Sequence, residues 1–337
     1  MSNKQAALDV IHRRSTGAGV FWSGRPAHDT IPLYAKEWGI APTAEAIYET
    51  LQDDCRYIPI GGYRHPEGLA EWNPGWGMER NRSLGAAGCF AEAETMAELG
   101  NYPWPDAAYY DFSETYAAIA RQSDKLVFSG PWCTLLTTLT NHFGMQNYFM
   151  MLYDNPALIE AVTERFTDYY VSVIHKFYSG APTGEVLFIG IDLGTQRDLF
   201  LSAEQFRRFL LPSIRRLIAA GKQCGKQVMM HSCGSIYRII PDLIDAGVDI
   251  LHPLQAQAAG MAAAELAQYK NDIAFCGGID AQSFIVNATP AQVADEVQRV
   301  YGLLGPNIII SPSHEEVLPN VPAANMLAMA SAAKALR

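Results

Sequence analysis

From about residue 126 to the C-terminus the chain alternates strand-length apolar runs with helix-length periodic segments. The runs include "KLVFSGP", "EVLFIGID" (185–192), "QVMMHSC", "VDILHPLQ", "IAFCGGID" (273–280) and "NIIISPSH" (307–314). Between them lie a helical stretch around 136–151, a long helix opened by Asn155 and Pro156, and a capping-box start at Ser202 in "SAEQ". Further on come "IIPDLIDAG", "AAAELAQYK", a second box-type start at Thr289, Pro290 and Gln292, and an Ala-rich helix over roughly 321–335. Continuous apolar strands separated by helices predict a parallel sheet buried on both faces. No GxGxxG follows a strand, which removes the main sign of a dinucleotide fold. Nearly every run instead ends on a polar or reactive group: Asp192, His231 with Cys233, Gln255, Asp280 and His314. In a (β/α)8 barrel those ends converge on one mouth, whereas the outer strands of an open sheet share no site. The expectation is therefore one α/β domain over 1–337, a single (β/α)8 TIM-type barrel. Residues 1–125, rich in Gly, Pro and aromatics, read as an irregular N-terminal extension of loops and short elements that supplies lid loops.

Composition narrows the partners. The 337-residue chain is 49% hydrophobic with a formal charge of −10, and its Lys/Arg residues form only short pairs such as Arg207-Arg208. Nucleic acid and anionic membrane are not expected partners. The N-terminus lacks a signal-type apolar region and no run of about 18 apolar residues occurs, so a cytoplasmic location is expected. The six cysteines include no CxxC pair and read as buried thiols or metal ligands rather than disulfides.

Residues i and i+2 of a strand face the same side, so His231 and Cys233 can direct a nitrogen and a sulfur at one metal ion; a packed strand end is the alternative. A third ligand would come from Cys276 or His314. Asp192 and Asp280 stand at strand ends as candidate reacting or orienting carboxylates, with an Asx-turn the competing role for Asp280. Gln196 and Gln255 suit hydrogen bonds to a substrate, and Arg25 in "FWSGRP" suits a substrate carboxylate. Trp22, Trp72, Trp76 and Trp104 suit a flat or apolar ligand and equally suit packing.

The blocks "FSGPWCTLLTTL", "NPALIEAVTERFTDYY", "DLGTQ", "SAEQFRRFLLPSIRRLI", "HSCG", "LIDAGVDILHPLQ", "GGID" with "TPAQVADEV", and "SPSHEEVLPNVPAANMLAM" resemble, in order, the uroporphyrinogen decarboxylase superfamily. The resemblance implies a single (β/α)8 barrel and two alternative chemistries. In the metal-free decarboxylases an Arg-rich loop, an acidic residue and a late histidine bind a carboxylated tetrapyrrole; here the loop is reduced to "FWSGR", so Arg25 alone carries over, with His314 as the late histidine. The other branch is similar to zinc-dependent methyltransferases working with corrinoid proteins or coenzyme M, whose HxC is matched by His231 and Cys233. Their second cysteine lies in a "GCG" on the last strand, where this chain has "SPSHEE". The leading expectation is thus a zinc-dependent methyltransferase moving a methyl group between a small molecule or thiol and a corrinoid protein. Asp192, His314 and Asp280 would be its reacting groups, and homodimerisation is implied by resemblance alone. A metal-free decarboxylase and a non-catalytic small-molecule binding barrel are the alternatives.

Overall fold

A strand whose two faces are both apolar needs a cover on each side and a neighbour at each edge for its backbone. The computed structural model describes residues 3–71 and 88–336, and this requirement organises it. Among those residues the strands are β1 (Val20–Phe21), β2 (Arg25–Pro26), β3 (Cys55–Pro59), β4 (Leu126–Gly130), β5 (Val186–Gly190), β6 (Gln227–His231), β7 (Ile250–His252), β8 (Ala274–Ile279), β9 (Ile308–Pro312) and β10 (Glu316–Val317). Eight form one parallel sheet in the order β1-β9-β8-β7-β6-β5-β4-β3, while β2 and β10 make a parallel pair beside the mouth.

Alternation along each strand separates two cores. Trp22, Phe128, Val186, Phe188, Met229, Ile250 and Cys276 fill the barrel interior. Leu187, Ile189, Val228 and Met230 face the surrounding helices, among them Pro156–Ser179, Leu211–Gln223, Pro290–Leu304 and Ala323–Lys334. The capping boxes at Ser202 and Thr289 are both formed. The segment expected as one helix around 136–151 is two, Leu135–Phe143 and Met145–Asp154, because Gly144 between them takes φ 82°.

The N-terminal part, expected as loops and short elements, contains two short strands that join the barrel: it supplies β1 and β3, at the edges of the sheet. Side chains and one backbone bond join those edges. Asp54 N donates to Phe21 O (3.0 Å) and Phe21 N donates to Asp54 Oδ2 (2.9 Å). Ser23 gives its N–H (3.2 Å) and its Oγ–H (2.8 Å) to Asp53 Oδ2. Lys334 of the last helix forms an ion pair with Asp54. Asp53 is fully buried, and burial outweighs its hydrogen bonds from Ser23 and the nearby Arg56 charge, raising its pKa to about 7.

Candidate functional site

The alternation that sends Met229 into the barrel sends His231 the same way, and the chain then turns through Ser232-Cys233-Gly234 across the mouth. Three neighbours hold that turn. Leu193 N donates to Ser232 Oγ (3.0 Å), Cys233 N donates to Asp192 Oδ1 (2.9 Å), and Gly234 N donates to Gln255 Oε1 (2.6 Å). Gly234 has φ 80° and packs against the backbone of Gly194, where a Cβ would lie 2.4 Å from its carbonyl oxygen. The loops after β5, β6 and β7 are thus locked together.

Asp192, His231 and Cys233 each offer one ligand atom, all within 4.8 Å of one another. His231 Nε2 lies 3.3 Å from Cys233 Sγ and 3.3 Å from Asp192 Oδ1. The imidazole is 2% exposed, while the Asp192 side chain is half-exposed at the mouth. Burial raises the Asp192 pKa, but hydrogen bonds and charge from His231, with hydrogen bonds from Cys233, outweigh it and leave the carboxyl below its ordinary value. Burial first, then the Asp192 and Glu315 carboxylates, push the Cys233 thiol up to about 12. One imidazole nitrogen, one sulfur and one carboxylate oxygen form a donor set that zinc accepts, and three protein donors leave a fourth position open. A cation there would offset the carboxylates that keep the thiol protonated. The residues fit such an ion.

Behind His231 the packing is aromatic. On β5 the residue paired with His231 is Gly190, and the missing side chain leaves room for the Trp132 indole, which a Cβ on Gly190 would approach to 2.2 Å. Trp132 lies 5.0 Å from the His231 ring, centroid to centroid. On the other side β7 pairs His252 with His231, and their Nδ1 atoms are 3.0 Å apart. Burial, then the neighbouring His231 and His314, lower the His252 pKa well below the ordinary histidine value. Glu315 Oε2, buried without a hydrogen bond among the described residues, lies 3.8 Å from His231 Nδ1 and 3.7 Å from His314 Nε2.

The other residues singled out in the sequence fall as follows. Cys276 is not brought to the cluster: it is fully buried mid-strand in the interior core. His314 lines the mouth, and its Nδ1 accepts from Glu316 N at 3.0 Å. Asp280 lies outside the cluster. Its oxygens accept from the backbones of Gln282 and Phe284 and from the side chains of Ser283 and Gln257, the local turn that competes with a reacting role. Arg25 on β2 pairs with Glu316 on β10. Gln255 lines the mouth; Gln196 is exposed, and its backbone carbonyl accepts from Ala259 N (3.0 Å). Trp22 packs in the interior against Phe128 and His252, and Trp104 packs on Phe90 and Phe166. Trp72 and Trp76 lie outside the described residues. His252 and Glu315, which complete the surroundings of His231, escaped the sequence reading, although His252 also ends an apolar run.

Two cavities meet at Cys233. One, of about 420 Å³, is lined by Gln255, Gln282, Ser313, His314, Leu318 and Asn320 among others. The second, of about 350 Å³, is lined by Leu136, Thr140, Met145, Phe149, Asp192 and Phe200 among others. Among the described residues neither is lined by a Lys or Arg.

Comparison with known proteins agrees with this architecture. The family profile described as Uroporphyrinogen decarboxylase (URO-D) matches residues 95–336. The chain is 26% identical over 170 residues to the methylated-thiol–coenzyme M methyltransferase of Methanosarcina mazei, a match covering 48% of this chain and 42% of that protein. The chain therefore spans less than half the length of this curated relative. A solved structure of a methyltransferase from Methanosarcina mazei superposes with a TM-score of 0.71 at 14% identity, covering 99% of this chain and 98% of that one, and shows the same fold.

Proposed function

This chain belongs to the uroporphyrinogen decarboxylase family, and from that premise we propose that it is a zinc-dependent methyltransferase acting between a small methylated compound or thiol and a corrinoid protein. The observation that carries the reading is the convergence of Asp192, His231 and Cys233 within 4.8 Å at the barrel mouth. These three residues would hold the zinc, which when bound supplies the positive charge that keeps a thiol deprotonated and nucleophilic. The relative named for methylated thiol and coenzyme M supports a sulfur compound as one substrate.

The chain's own residues do the rest. Asp192 fixes the Cys233 backbone through its N–H, so the sulfur is positioned by the same carboxylate that shares the donor set. Trp132 and Phe188 close the space behind His231 and exclude water there. Leu136, Met145, Phe149 and Phe200 offer an apolar wall to a methyl-bearing compound on one side of Cys233, while Gln255, Ser313 and His314 offer polar contacts on the other. Decarboxylation of a tetrapyrrole fits less well. A substrate with many carboxylates calls for several cations, and Arg25, the one expected here, is already paired with Glu316.

Metal analysis of the purified protein tests the reading. About one zinc per chain is expected in the wild type, falling to near zero in Cys233→Ser and in His231→Ala. A wild type that takes up no zinc from zinc-supplemented growth overturns it.

A further inference from the structure

We propose that His252 is a positioning residue that sets the tautomer of His231 and leaves the Nε2 of His231 free to face Cys233 and Asp192. The inference rests on the zinc reading above and adds a residue that touches none of the three donor atoms.

The pairing of β6 with β7 sets His252 directly beside His231. Their Nδ1 atoms are 3.0 Å apart, a hydrogen-bond distance, in a place where neither ring reaches solvent: His231 is 2% exposed and His252 0%. A zinc-ligating imidazole is neutral, and His252 is fully buried with no carboxylate hydrogen-bonded to it among the described residues. Between two neutral imidazoles a single hydrogen occupies such a contact, so the pair has two arrangements.

In the first, His231 Nδ1–H donates to His252 Nδ1. The lone pair of His231 Nε2 then points toward Cys233 Sγ and Asp192 Oδ1, each 3.3 Å away, as metal ligation requires. In the second, His252 Nδ1–H donates to His231. The hydrogen on His231 then sits on Nε2 and is aimed at Asp192, which closes the donor face to a cation. Loading a cation at Nε2 therefore selects the first arrangement, and His252 is the acceptor that makes it available. Glu315 Oε2, at 3.8 Å from His231 Nδ1, is beyond hydrogen-bond range and does not take that role. Trp22 and Phe188, each 5.4 Å from the His252 ring, hold it in place. Its Nε2 is buried without a partner, so the Nδ1 contact is its one hydrogen bond among the described residues.

Zinc affinity, read by titrating metal-free protein against a chromophoric chelator, tests the proposal without any activity assay. His252→Phe fills the space and removes the acceptor; it should weaken zinc binding by about 10–100-fold, the usual effect of losing a group that orients a metal ligand. His252→Asn places an amide oxygen near the Nδ1 position and should restore most of the affinity. Equal affinity in wild type and His252→Phe overturns the proposal while leaving the metal site standing. Failure of the wild type itself to bind zinc overturns both, and shows before any variant is compared. Ring ¹⁵N spectra of zinc-loaded wild type give a test independent of how the variants fold. His231 should carry its proton on Nδ1, and ligation through Nδ1 would sink the idea.

Discussion

Cys233 is a thiol whose surroundings oppose its ionisation. Burial and the Asp192 and Glu315 carboxylates push it up to about 12, so in metal-free protein it is almost wholly protonated at neutral pH. Native metal-free protein should therefore alkylate at Cys233 roughly 50-fold more slowly at pH 8 than the same peptide in denatured protein, the far smaller thiolate fraction being partly offset by the greater nucleophilicity of a high-pKa thiolate. Peptide mass spectrometry after timed iodoacetamide labelling reads this directly, and rapid native labelling would contradict the assigned environment. His231 and Cys233 are legible in the sequence as a donor pair and Asp192 as a strand-end carboxylate, though not as their third donor, because each closes or follows an apolar run and strand ends are local features. Cys276, a possible third donor in the sequence whose competing reading is a plain core thiol, sits in a similar apolar run. The difference is depth: Cys276 lies three residues before its strand ends, and Cys233 two residues beyond the end of β6. His252 and Glu315 acquire their meaning from strand register and from a loop about 80 residues away in sequence, which periodicity does not report.

The strands and helices after residue 126 were readable for the same reason the earlier ones were not. Runs such as "VLFIG" and "IIIS" carry a continuous apolar signal, and the caps at Ser202 and Thr289 depend on residues three positions apart. By contrast β1 is two residues long, and β3 reads "CRYIP" with an arginine inside it. Their pairing relies on Asp53 and Asp54, which look like ordinary loop acids in the sequence. That seam has a pH signature. The folded pKa of Asp53, about 7, exceeds its ordinary value of 3.8, so the folded state holds the proton more tightly than the unfolded one. The stabilisation from this group is complete below about pH 4 and is lost as pH rises through about 7. Asp53→Asn keeps an acceptor for Ser23 and should flatten the dependence of stability on pH between 4 and 7. Denaturant melts across that range check it, and an unchanged slope in the variant would contradict the assignment.

At the scale of the whole molecule, the chain carries a net charge of −10, and no helix among the described residues is long and apolar enough to cross a membrane. The barrel, its parallel sheet and its polar mouth followed from the alternation of runs and their endings. The cavities did not, because a void depends on how distant side chains fail to meet. Among the described residues Cys233 alone lines both the 420 Å³ and the 350 Å³ spaces. On the proposed function, two spaces that share Cys233 as a wall would let two reactants be in residence together, one on each side of it. On the proposed reading, initial rates measured while both substrates are varied should give intersecting rather than parallel double-reciprocal lines. Parallel lines would mean that the two spaces act in turn, as successive stations for a single occupant.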